Sequence, residues 1–182
     1  MRTLIMISVA AVSAAALAAC ADTRPVPYEK VAQENEVNGF RMAVVDVCLQ
    51  SAIAGTPVSA MSGEDGSIVP AAPELVSQRG EGGGALYSPR NAKNVLIRSD
   101  GGVCEVTTSG ALTKASQASL EEALSDPHGF TIDKAEGMGK PTDKRFSKKL
   151  GTQTYHVKLA GSGMGGDAPS SKLTATVTVT SA

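Results

Sequence analysis

Residues 94–110 of the 182-residue chain, NVLIRSDGGVCEVTTSG, constrain the fold most, because they predict a β-hairpin. Two apolar runs rich in β-branched residues flank Asp100-Gly101, a dipeptide that favours a two-residue hairpin turn. A three-residue turn over residues 100–102 would shift the register by one residue and mix polar with apolar partners. We therefore expect the two-residue turn, which pairs the residues of one face as Ser99 with Gly102, Ile97 with Cys104, and Val95 with Val106.

The last third of the chain predicts further strands. In residues 152–161 the apolar side chains are Tyr155, Val157 and Leu159, and the residues between them are polar. In residues 172–181 the apolar residues alternate with a row of threonines. A period of two is typical of a strand with one buried and one polar face.

Two segments have the three-and-four spacing of helices. Residues 35–55 predict a helix that Asn35 or Asn38 caps at its start and Gly55 ends. Its apolar residues share one face, and Cys48 lies on that face. In residues 113–127 the spacing places Leu120 and Leu124 inward. Between the elements we expect a long glycine-rich loop over 55–84 and a basic loop over 137–151.

These elements predict an α+β fold. The order helix, strands, helix, strands favours an antiparallel sheet of about five to six strands with one or two packed helices. The polar side of that sheet would be formed by the threonines of residues 172–181. We expect residues 35–182 to form a single domain.

The first twenty residues have the pattern of an export signal. A positive charge at Arg2 precedes an apolar run that is too short for a permanent membrane span, which needs about 20 apolar residues. The run ends on Leu17-Ala18-Ala19-Cys20, which resembles the lipobox of bacterial lipoprotein precursors. The resemblance implies a signal peptide over 1–19, removed before Cys20, and acylation of Cys20 with chains such as palmitate. Because Ala21 and not aspartate follows, it also implies the periplasmic face of the outer membrane rather than the inner membrane.

Acylation of Cys20 would leave Cys48 and Cys104 as a pair in an oxidising compartment. Since one lies on the apolar side of a helix and the other on the core face of a hairpin, we expect a helix-to-hairpin disulfide. The spacing of Cys48-Leu49 and Cys104-Glu105-Val106 also resembles small exported proteins of alphaproteobacteria, a resemblance that implies no activity. Residues 20–34, with two prolines and no apolar period, predict a flexible tether between lipid and domain.

Composition argues against several partners. The chain has 17 basic and 18 acidic residues, a net charge of −1, and the loss of Arg2 with the signal makes it −2 (16 against 18). There is no basic excess for nucleic acid. With three Phe, three Tyr and no Trp, the chain has few aromatic side chains on which bases or sugars could stack.

No motif predicts a catalytic residue, a bound metal or a cofactor. The run GSGMGG at 161–166 matches a dinucleotide fingerprint, but a predicted strand follows it where the fingerprint needs a helix. His128 and His156 have no neighbouring ligands at metal spacing, and a copper site with Met138 and Met164 is the weaker interpretation of these residues. Carboxylate pairs such as Glu121-Glu122 and the basic residues 144–149 are typical of solvated surface.

The sequence therefore predicts an anchored envelope lipoprotein that is not an enzyme. We expect a structural or interaction module whose long loop or polar sheet face contacts another envelope protein. The alternative is a periplasmic protein that binds a metal or a small molecule through its glycine-rich loops. A third hypothesis is a hydrolase whose site is assembled from dispersed residues, including His128 or His156.

Overall fold

The computed structural model describes residues 28–63, 65–74, 76, 83–126, 128–133, 143–163 and 171–181. In these ranges the helical elements are α1 (Tyr28–Met42), a π-helical segment (Ala43–Leu49), α2 (Gln50–Ala54), a 3₁₀ turn (Val58–Met61) and α3 (Thr113–Ser125). The strands are β1 (Ile68–Pro70), β2 (Ala85–Pro89), β3 (Leu96–Asp100), β4 (Val103–Ser109), β5 (Thr131–Ile132), β6 (Lys144–Leu150), β7 (Gln153–Ser162) and β8 (Lys172–Ser181). The signal peptide predicted over 1–19, Cys20 and the rest of the tether up to residue 27 lie outside the described residues.

The first helix begins earlier than predicted. It is already helical at Tyr28, so residues 28–34 continue the helix instead of forming the end of a flexible tether. The backbone stays helical through the π segment into α2 and ends at Gly55, whose φ of 64° closes the helix in the left-handed region as the sequence predicts. Within the π segment only Asp46 is exposed, because this part of the helix is covered by the sheet on one side and approached by α3 on another.

The strands form one antiparallel sheet in the order β1-β2-β3-β4-β8-β7-β6-β5. The predicted α+β class is confirmed, and the sheet of eight described strands is larger than predicted. Part of the difference is β6, whose residues the sequence predicts as part of a basic loop. Its cationic residues hide the alternation: Phe146 is buried, and the aliphatic parts of Lys144 and Lys148 flank it on the same face.

The hairpin of β3 and β4 has the predicted faces but not the predicted register. Asp100 pairs with Val103 and Ile97 with Val106, so the two turn residues are Gly101 and Gly102. Both have positive φ, 52° and 86°, which a type I′ turn requires and glycine adopts without strain from a Cβ atom. A turn at Asp100-Gly101 would instead force a positive φ on Asp100. The register is shifted by two residues, and since the side-chain period is also two, each residue keeps its predicted face.

α1, the π segment, α2 and α3 pack on one face of the sheet, here called the inner face. The π segment packs on β4 and β8, and α2 and α3 also contact β8. Leu120 and Leu124 of α3 are fully buried, as predicted. The inner face of the sheet contributes Ile68, Tyr87, Ile97, Cys104, Val106, Phe146, Tyr155, Val157, Leu159, Leu173, Ala175 and Val177 to the core.

The Cys48–Cys104 disulfide joins the two layers and confirms the predicted pairing. Cys48 lies in the π segment and Cys104 in β4, with a Cα–Cα distance of 5.6 Å. Cys48 is fully buried and Cys104 is 6% exposed. The bridge thus closes a loop between residues that are 56 positions apart in sequence, and it holds the helix over the middle of the sheet.

We expect the double substitution Cys48→Ala with Cys104→Ala to lower the free energy of unfolding. For a sequence separation of 56, the chain-entropy model gives a loss of about 4 kcal/mol, because the unfolded chain regains the freedom that the closed loop removes. Urea denaturation followed by far-UV circular dichroism measures this loss. The wild type unfolded in dithiothreitol is the control that keeps both side chains, and a midpoint insensitive to both changes would contradict the prediction.

Candidate functional surface

The face of the sheet opposite the helices is polar over strands β6, β7 and β8. The alternation that buries Phe146, Val157 and Val177 on the inner face sends the intervening residues outward. We call the outward residues of these three strands the basic threonine face. They are Arg145, Ser147 and Lys149 of β6, Thr154, His156, Lys158, Ala160 and Ser162 of β7, and Lys172, Thr174, Thr176, Thr178 and Thr180 of β8.

A row of hydroxyl groups lies along β8, at the side of this face that borders β4. The row of threonines predicted for residues 172–181 lies along β8, half-buried from Thr174 to Thr178 and exposed at Thr180. Thr180 Oγ1 lies 3.1 Å from His156 Nε2 on the neighbouring strand. Threonine both donates and accepts hydrogen bonds, so the row can meet either kind of polar group.

Cations lie on one side of the hydroxyl row, on β6 and β7, and at the start of β8. Arg145, Lys149, Lys158 and Lys172 are exposed, and none of these four forms an ion pair with a described residue. Strands β6, β7 and β8 together contain six lysine and arginine residues and no aspartate or glutamate. This excess is local, because the whole chain has a net charge of −1.

Two of these cations oppose each other directly. In the register of β6 and β7, Arg145 lies opposite Lys158 on the outward face, a like-charge pair that destabilises a sheet. Two acids flank this cross-strand row. Asp133, just after β5, lies beside Arg145: its backbone N–H donates to the Arg145 carbonyl oxygen at 2.9 Å, and its Oδ1 accepts from Ser147 Oγ. On the other side Glu105 of β4 is separated from Lys158 by Thr176 of β8. Two strand spacings place it about 9.6 Å away, close to the screening length at physiological ionic strength. Glu105 is also directly opposite Arg98 of β3.

The two lysines of β6 on the inner face are engaged within the domain. Lys144 Nζ donates to Glu121 Oε2 of α3 at 2.6 Å, and Gln117 Nε2 donates to the other oxygen of that carboxylate at 2.7 Å. Lys148 Nζ donates to the carbonyl oxygen of His128 at 2.6 Å. The cations predicted as one solvated basic patch therefore lie on both faces of β6. Lys144 and Lys148 make contacts within the domain, whereas Arg145 and Lys149 are exposed on the outward face.

A cleft of about 790 Å³ lies beside the disulfide. The C-terminal end of α2 and the following residues form one wall, and the turn of the β3–β4 hairpin forms the other. Cys48 and Cys104 line it, and the polar residues along it include Ser51, Thr56, Ser99, Asp100 and Gln153. Its volume lies in the range of small-molecule sites, about 300–1,000 Å³.

The structure does not bring the two histidines into a shared site with metal ligands. His128 follows α3, whereas His156 lies on the outward face of β7. Within the described ranges, no three His, Cys, Asp or Glu side chains group closely enough to hold a metal ion. Met138, Met164 and the second half of the GSGMGG run lie outside these ranges, and β8 follows the run as predicted.

Comparisons with protein-family models, with curated proteins and with solved structures found no match for this chain. In the part of the chain that the structure describes, no helix is both long and apolar enough to cross a membrane.

We expect Lys158→Thr to raise the free energy of unfolding by about 0.2–1 kcal/mol, because it removes the like charge opposite Arg145 and places a residue of higher strand propensity in β7. Urea denaturation at low ionic strength measures the change, and added salt should reduce it. The matched control is Lys172→Thr, the same substitution at a position opposite Ser162, where no such repulsion exists. Equal effects of the two substitutions would contradict a specific repulsion.

Proposed function

We propose that this protein is a membrane-anchored envelope lipoprotein that acts as a non-enzymatic interaction module. In this proposal Cys20 carries the acyl groups, and the described domain stands at the periplasmic face of the outer membrane. The observation that supports an interaction role best is the basic threonine face, which is polar and partly exposed while the helices cover the opposite face.

The face favours a partner that carries negative charge. Four exposed cations, two of them in mutual repulsion, lie beside hydroxyl groups that can donate hydrogen bonds to anionic oxygens. Two classes of partner in the envelope have this chemistry: the phosphate groups of lipids and the carboxylates of an acidic envelope protein. Either would relieve the repulsion between Arg145 and Lys158.

The anchor is tested by Cys20→Ser. We expect this variant to remain unprocessed, with residues 1–19 still attached, and to lack the mass of the acyl groups, because the thiol is the site of lipid attachment. Mass spectrometry of the intact protein and fractionation of membranes with carbonate measure both effects. Cys48→Ser with Cys104→Ser is the matched control, which should keep the acyl groups. A Cys20→Ser protein of unchanged processing and acylation would contradict the proposal.

A second candidate function is the binding of a small molecule in the cleft beside the disulfide. Its volume and the polar residues that line it favour this alternative. We expect the native mass spectrum of protein gently extracted from its own membranes to contain a bound small molecule in this case. Thr56→Trp, at an exposed position on the rim, should fill the cleft and remove that mass. An identical spectrum for both proteins would count against the cleft.

A further inference from the structure

The residue types of the basic threonine face favour one of the two classes of partner, the lipid phosphates. The outward side chains of the face include one arginine and no Trp, Tyr or Phe, and most of them are threonine and lysine. Protein interfaces draw their binding energy mainly from buried Trp, Tyr and Arg, whereas lysine is depleted and threonine is under-represented among the residues that contribute most. Lysines that are spaced over a surface instead match the many phosphate groups of a lipid bilayer, each of which can attract a separate cation.

The tether limits how far the face can be from the membrane. This step rests on the proposed acylation of Cys20. Tyr28, where α1 begins, is eight positions after Cys20, and a fully extended chain spans at most about 3.3–3.6 Å per residue, or about 26–29 Å in total. The domain is thus held at a high effective concentration beside the bilayer surface, so a modest attraction is sufficient to orient it.

We propose that the basic threonine face docks on the anionic phosphate groups of the bilayer that carries the lipid anchor. Arg145, Lys149, Lys158 and Lys172 face the lipid phosphates, and the threonine hydroxyls of β8 donate hydrogen bonds at the same surface. The helices and the disulfide cleft then point away from the membrane. The bilayer supplies the negative charge that the strands themselves lack, and it removes the repulsion across Arg145 and Lys158.

Lysine footprinting of the acylated protein tests this orientation. The protein is reconstituted into vesicles of phosphatidylcholine alone or of phosphatidylcholine mixed with phosphatidylglycerol, and a water-soluble reagent labels its amines. On the anionic vesicles we expect severalfold slower labelling of Lys149, Lys158 and Lys172 than on the neutral ones. Lys93, in the turn whose neighbour Asn94 contacts Glu36 of α1, and Lys114 of α3 are exposed on the helix side and should label equally on both. High salt should abolish the protection, because it screens the attraction.

A triple variant tests whether Lys158 is protected by the charges of the face or only by the closeness to the bilayer that the tether imposes. Arg145→Gln, Lys149→Gln and Lys172→Gln together remove three charges from the face and leave Lys158 as the reporter. We expect Lys158 to lose its protection on anionic vesicles. The control Lys30→Gln, Arg41→Gln and Lys93→Gln removes three exposed charges elsewhere and should preserve it. All six positions are exposed, so the fold should tolerate both sets of substitutions.

Several outcomes would overturn the docking. Equal labelling of the face lysines on neutral and anionic vesicles, or equal protection of Lys93 and Lys114, would show that the face has no preference for anionic lipid. Protection in native membranes but not on anionic vesicles would assign the face to an acidic protein instead. A chain recovered without acyl mass at Cys20 would refute the anchor, and with it the docking, and its mass distinguishes this failure from the others.

Discussion

The packing of one long helix against the middle of the sheet is the interaction on which the rest of the structure depends. The π segment lies over β4 and β8, and the Cys48–Cys104 bridge fixes it there. Because β8 is paired on both sides, burial of Val177 and Ala175 beneath the helix also orients β4 and β7. The disulfide contributes chiefly by limiting the unfolded chain, whereas the apolar contacts provide the attraction between the layers.

The face of the sheet that the helices leave uncovered must be compatible with solvent or be covered by other residues. Alternation along β7 and β8 assigns apolar side chains to the helices and polar ones to the opposite surface. On β1 to β4 that opposite surface is partly covered, since Leu96 and Thr107 are 6% and 5% exposed. On β6 to β8 it carries only small, hydroxylated or cationic side chains, which have no need of a protein cover.

Elements with a clear period of two or of 3.6 could be predicted from the sequence. The alternation in β7 and β8, the stripe of Leu120 and Leu124 in α3, and the faces of Ile97 and Cys104 all have this local origin. Features set by backbone conformation or by long-range packing could not. The turn at Gly101-Gly102 depends on the positive φ that both glycines adopt. The first residues of α1, from Tyr28, have no apolar stripe that would predict a helix there. In β6 the only apolar residues are Phe146 and the terminal Leu150, too few to show an alternation, so the sequence does not identify Arg145 and Lys149 as members of an open face.

Lysines on a sheet also prevent strands from pairing with other chains at an exposed edge. That role fits Arg145 and Lys149, because β6 lies next to the two-residue edge strand β5. It does not fit Lys158 and Lys172, because β7 and β8 are paired on both sides and have no free edge over most of their length. Nor does solubility require Lys158 opposite Arg145, where a threonine would keep the face polar without repulsion. The charges of Lys158 and Lys172, on strands that are paired on both sides, therefore favour the proposed anionic surface outside the domain over protection of a sheet edge.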